Sequence, residues 1–150
     1  MKISKDVSDF IFRGLFCLIF IGLGGEHIVS NGLIMYLMPA WMPFPQFVSV
    51  LCGIWLSTWG TCLLFGWQVR LAAIALGVFL VLVTLLVHAP GVLYYPTSFP
   101  EENRWVWDIL QRTNLVKNLC LLGVCFHLLQ HEVGKYSLEA YLKKSQQSDS

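Results

Sequence analysis

Ionisable and amide side chains are scarce in the apolar stretches of this chain, so each one there calls for a chemical reading. Glu26 and His27 close the first apolar run, His88 lies near the end of a later one, and Lys117 with Asn118 opens the last. At mid-membrane such a group is disfavoured by roughly 2.5 to 3.5 kcal/mol on insertion scales, which makes it a functional candidate by default. Three chemistries suit the set. A quinone headgroup would lie among aromatic rings while donors polarise its two carbonyls and a His or Glu exchanges protons. A haem b would take His27 and His88 as axial ligands; it is the weakest of the three, because the spacing is undiagnostic and no second pair exists at the other end. An anion or lipid headgroup needs only Lys, His and backbone donors.

The elements that must carry these groups follow from composition. Of 150 residues, 56% are hydrophobic and 13% charged, against about 25% charged in an ordinary soluble domain. A single domain of this size has no polar coat to cover that surplus, and the bilayer is the natural solvent. The net charge of +1 provides no field for nucleic acid.

A spanning helix takes about 20 mostly apolar residues, and four segments qualify, about 10–26, 47–67, 71–93 and 115–131. Pro39, Pro43 and Pro45 separate the first two because proline breaks helices. The expected fold is all-α, a membrane-embedded antiparallel four-helix bundle over 1–134, with a polar tail at 135–150 that forms a short helix and then disorder. Lys2 and Lys5 ahead of the first run imitate a signal peptide, but no small-x-small cleavage site follows, so the segment is expected to stay.

Orientation follows from Lys and Arg near span ends. With both termini inside, Lys2, Lys5, Arg13, Arg70, Lys135, Lys143 and Lys144 are cytoplasmic, and Arg104, Arg112 and Lys117 are outside. The connections 28–46 and 94–114 are then external loops, and Trp105 and Trp107 suit the headgroup region. Glu26, His27, His88, Lys117 and Asn118 thereby share one outer leaflet.

On the fourth span Lys117, Cys120, Val124, His127 and His131 form one stripe, and on the first Arg13, Cys17, Phe20, Gly24 and His27 do the same. Facing inward, they make a polar seam that includes Arg13 and His127. Gly53, Ser57 and Gly60 make a smooth face on the second span, Ala73 and Gly77 one on the third, and Gly22, Gly25 and Gly123 are further thin places that allow close helix approach. Plainer readings stand beside these. Arg13 and Lys117 can snorkel to headgroups, Lys117 can pair with Glu26, His131 can be merely interfacial, and His127 can be an interhelical hydrogen-bond donor. The five cysteines sit in apolar runs with no C-x-x-C pair and no zinc-like spacing, so no metal site is expected.

The chain resembles the DoxX-like membrane proteins. The resemblance runs from Arg13 and the Gly-rich end of the first span through His27, Met38-Pro39-x-Trp41-Met42-Pro43-Phe44-Pro45, Gly53, Gly60 and Leu63-Leu64-x-Gly66. It continues through Arg70-x-Ala72-Ala73, His88-x-Pro90 and Lys117-Asn118-Leu119-x-Leu121-x-Gly123. It implies a four-helix membrane fold and a name taken from a subunit of a thiosulfate:quinone oxidoreductase, with other members acting in membrane redox or thiol-stress systems. Arg13, His27, His88, Lys117 and Asn118 carry over as motif positions; Glu26 does not.

The leading expectation is a bacterial cytoplasmic-membrane protein whose outer-leaflet pocket binds a quinone as membrane partner of a periplasmic or membrane redox protein. Whether it is a catalytic or non-catalytic oxidoreductase subunit stays open, as does homo-oligomerisation. The alternative is a non-enzymatic assembly or chaperone-like protein whose seam fixes helix register. A transporter is a third class, without an internal repeat to support it.

Overall fold

The computed structural model describes residues 3–96 and 99–148. Lys2, Asp149 and Ser150, which enter the charge and tail readings, lie outside the described residues, as do Thr97 and Ser98. Four long helices dominate: α1 (Lys5–Val29), α3 (Pro45–Leu64), α4 (Val69–Val83) with its continuation, and α6 (Arg104–Leu128), while α2 (Asn31–Leu37) bridges the first two. Beyond α4 the helix runs on through a π-helical turn (Thr84–His88) into α5 (Ala89–Leu93), and a 3-10 turn (Glu101–Asn103) leads into α6. A last helix, α7 (Leu138–Ser148), realises the short tail helix. Among the described residues there is no strand.

Local chemistry explains the boundaries. The Ser4 side chain caps α1 by accepting from Val7 N, and Pro45 occupies the first turn of α3, where its missing N–H is harmless. Gly66 ends α3 at φ +63°, with Trp67 N bonded to the Cys62 carbonyl and Gly66 N to that of Leu63, a Schellman arrangement. A side chain there would also strike Arg13, whose Nη1 would lie 2.7 Å from an added Cβ. The π-helical turn has its own cause. Pro90 has no N–H to offer the carbonyl four residues back, and Ala89 N instead reaches the Thr84 carbonyl five residues back.

α1 packs on α3, α3 on α4, and α4 on α6. Neighbours run antiparallel: Arg13 meets Leu64 while His27 meets Ser49, and His88 meets Gln111 while Gly77 meets Cys125. One apolar core draws Phe16, Cys17 and Phe20 from α1, Leu56 and Leu63 from α3, Leu76 and Leu80 from α4, and Cys125 and Leu128 from α6. The α1–α3 crossing is glycine-tight. A Cβ on Gly24 would strike Ser57 Oγ, and one on Gly53 would fall 2.7 Å from the Gly24 carbonyl. Gly22, Gly25 and Gly123, expected as further thin places, meet nothing within 4 Å.

Two expectations need correction. The stretch 94–114 is not a loop throughout: α6 begins at Arg104, because Arg104–Asn114 contains neither Gly nor Pro and the helix continues past the apolar segment. The 28–46 connection likewise contains the end of α1 and all of α2. Among the described residues three helices, Lys5–Val29, Pro45–Leu64 and Val69–Leu93, are long and apolar enough to cross a membrane. α6 has the length, but its polar first half dilutes its apolar character.

Candidate functional site

The polar groups separate into a network at the end where the termini lie and two small clusters at the far end. At the terminal end Arg13, on the inward stripe of α1, is fully buried. Its Nε donates to Asp9 Oδ2 at 3.0 Å, Nη1 to the Leu64 carbonyl at 2.7 Å and Nη2 to the Tyr136 carbonyl at 2.6 Å. Asp9 also pairs through Oδ1 with His131 Nε2 at 2.6 Å and accepts from Gly134 N at 3.1 Å. Arg13 therefore does not snorkel, and His131 is tied into the interior. With its donors turned on protein acceptors, the network fastens α1, the end of α3 and the segment after α6.

The α1 stripe faces inward as expected, with Arg13, Cys17, Phe20 and Gly24 buried and His27 half-buried. The α6 stripe does not. Its buried residues are Trp107, Gln111, Asn118, Cys125 and Leu128, whereas Cys120 and His127 are exposed. His127 touches His131 ring to ring at 6.0 Å and stands outside the interior line. One position separates Lys117 from Asn118, and that rotation of about 100° moves the buried face from the expected residues to these.

At the far end His27 and Ser49 hold each other. Ser49 Oγ donates to the His27 carbonyl at 3.2 Å, and with its one proton so used, it accepts from His27 Nδ1 at 3.0 Å. His27 Nε2 is then the acceptor nitrogen. Glu26 is exposed on α1.

The second cluster sits between the π-helical turn, α5 and α6. His88 Nδ1 lies 2.8 Å from Gln111 Oε1, both side chains buried. Trp107 Nε1 donates to the Gly91 carbonyl at 2.8 Å, and Asn118 Nδ2 to Thr84 Oγ1 at 3.2 Å. Lys117 is half-buried, bonded to Asn114 Oδ1 at 2.7 Å and near enough to act electrostatically on His88. Gln111 Nε2 is buried without a hydrogen-bond partner, alone in this among the described residues. Turning the amide over only exchanges which of its two polar atoms is left over. A buried polar atom left unmade costs about 1 to 3 kcal/mol, so in either orientation the Gln111 amide has one polar atom that a hydrogen-bonding partner would satisfy. The site thus joins His88, Lys117 and Asn118 of the expected set and adds Gln111, Thr84 and Asn114, which are not among the expected site residues. His27 belongs to a separate helix pair, and no bond joins the two clusters among the described residues.

Helices of this length and apolarity define a multi-pass integral membrane protein. Residues 8–89 match the DoxX family model, more than half of the chain, and the chain belongs to the DoxX family. No curated protein and no solved structure matches it. The matched segment holds Arg13, His27 and His88 and stops before α6, so Gln111, Lys117 and Asn118 rest on geometry alone.

Proposed function

We propose that the protein binds a small carbonyl-bearing ligand of the quinone type at the His88–Gln111 cluster, as the membrane partner of a redox system. The observation that carries this is the unpartnered Gln111 Nε2 beside His88. The residues present fit such a headgroup. Gln111 supplies an N–H for a carbonyl oxygen, and His88, its Nδ1–H held by Gln111 Oε1, keeps Nε2 as a proton acceptor. Lys117 places positive charge where negative charge on an oxygen would be stabilised. A bound quinone would supply two-electron carrier chemistry; the chain's own part is to orient the ring and hold a proton at His88. The π-helical turn supports this reading, since such turns often sit at functional sites.

In this reading α6 is the fourth span, both termini are cytoplasmic and the cluster lies in the outer leaflet of a bacterial inner membrane. The length of α6, its antiparallel packing on α4 and the bias of Lys and Arg toward the terminal end support that arrangement. Residues 1–134 form the membrane domain and 135–150 its cytoplasmic tail. Lipid extraction of the detergent-purified protein tests the proposal: quinone should copurify with the wild type and be lost from a His88→Ala, Gln111→Leu variant that keeps its helical circular dichroism.

A second reading, a non-enzymatic assembly protein, draws on the Arg13–Asp9–His131 network, whose polar atoms are turned inward on the protein. There a partner protein, and no quinone, would copurify in mild detergent.

A further inference from the structure

The tail helix α7 leaves an apolar face without cover. Leu138, Tyr141 and Leu142 fall at i, i+3 and i+4 on one side of it and are 40%, 70% and 44% exposed. Such a face on a free tail would be unremarkable, but the root of α7 is fixed in place. Gly134 N donates to Asp9, Lys135 N to Asp6, Leu138 N to the Phe65 carbonyl and Glu139 N to the Gly66 carbonyl. Glu139 Oε1 in turn accepts from Val69 N at the first turn of α4. These bonds hold the start of α7 level with the ends of α1, α3 and α4, the depth at which a bilayer passes from acyl chains to headgroups.

The surroundings fit that depth. Trp67 and Tyr136 are exposed at the same end, the position amphipathic rings take at a membrane interface, and Phe10 and Phe65 are exposed beside them. An open cleft of about 340 Å³ between Phe10, Phe65, Tyr136 and Leu138 adjoins the root of α7, with Lys135 on its wall. Cations crowd this end as well: Lys5, Arg70, Lys135, Lys143 and Lys144 are all exposed. Asp6 offsets Lys135 at 3.4 Å, Asp9 is matched to Arg13 and Glu139 is turned on Val69 N; Lys143 and Lys144 form no ion pair among the described residues and outweigh the exposed Glu132, which leaves them as charge for an outside partner.

We infer that α7 is an interfacial helix that docks on anionic phospholipid: Leu138, Tyr141 and Leu142 bed into the acyl boundary while Lys143 and Lys144 hold headgroup phosphates. The membrane the protein already spans is the occupant, reached without a further association step. Each lysine close to an anionic surface strengthens partitioning by about fivefold, and salt screens the effect.

The test uses the full chain in nanodiscs of phosphatidylcholine alone or mixed with phosphatidylglycerol. Chymotrypsin cleavage after Tyr141 is followed by intact mass. Cleavage should be at least several-fold slower in the anionic discs, return to the faster rate at high salt, and lose its lipid dependence in a Lys143→Gln, Lys144→Gln variant. Equal cleavage in both discs would overturn the inference, as would protection that survives in the variant or that tracks dimerisation of the chain rather than lipid charge.

Discussion

Asp9 pairs with His131 at 2.6 Å across 122 residues of sequence, joining the first helix to the segment that follows α6. The same carboxylate holds Arg13 at 3.0 Å, and both side chains are almost wholly removed from solvent. Breaking a buried ion pair by removing one partner leaves an uncompensated charge, a loss of about 3 to 5 kcal/mol. Asp9→Ala is therefore expected to lower the thermal denaturation midpoint in detergent far more than Asp6→Ala, whose partner Lys135 is exposed. Equal shifts for the two variants would remove the network from the account of stability.

The α1–α3 crossing predicts a contrast between glycines of one helix. Gly24→Ala drives a methyl into Ser57 and the Gly53 backbone, and overpacking of this kind costs about 1 to 3 kcal/mol. Gly22→Ala meets open space and gains about 1 kcal/mol in helix propensity. Thermal melts should move in opposite directions.

Gly66 carries two constraints at once, a positive φ and contact with Arg13. Gly66→Ala should destabilise by about 1 kcal/mol or more from backbone conformation alone. It should also loosen the 134–139 strap, read as faster amide hydrogen exchange at Leu138 and Glu139, whose N–H groups bond Phe65 and Gly66. Unchanged exchange at these two amides would show that the strap does not depend on the turn.

Glu139 caps α4 from a distant part of the chain through Val69 N. A lost cap costs about 1 kcal/mol. Glu139→Gln retains an acceptor and should fall between wild type and Glu139→Ala in thermal stability; indistinguishable melts would make the contact incidental.

Much of this was legible in the sequence, for reasons that can be named. The expense of polar groups in lipid singled out Arg13, His27, His88, Lys117 and Asn118, and the 3.6-residue period placed Arg13, Cys17, Phe20 and Gly24 on one buried face. Asp9 escapes notice because the apolar run of the first span begins at Phe10, one residue beyond it. Gln111 escapes notice because it is neutral and lies outside the apolar run of the fourth span. A signal for it was present: Gln111, Asn118 and Cys125 recur every seven residues, the spacing of a buried helix seam. Ser49 is unreadable, since a hydroxyl in an apolar helix can bond its own backbone and carries no mark of which neighbour it meets.

The central claim, a carbonyl-binding place between His88 and Gln111, is tested most directly by titrating the purified protein with a short-tailed ubiquinone analogue and following tryptophan fluorescence, Trp107 being the nearest reporter. Saturable quenching is expected for the wild type and for His127→Ala. Affinity should fall about tenfold or more in Gln111→Leu, in keeping with the loss of a buried hydrogen bond. Absence of saturable quenching in the wild type, or equal affinity in Gln111→Leu with its fold intact, would contradict the account.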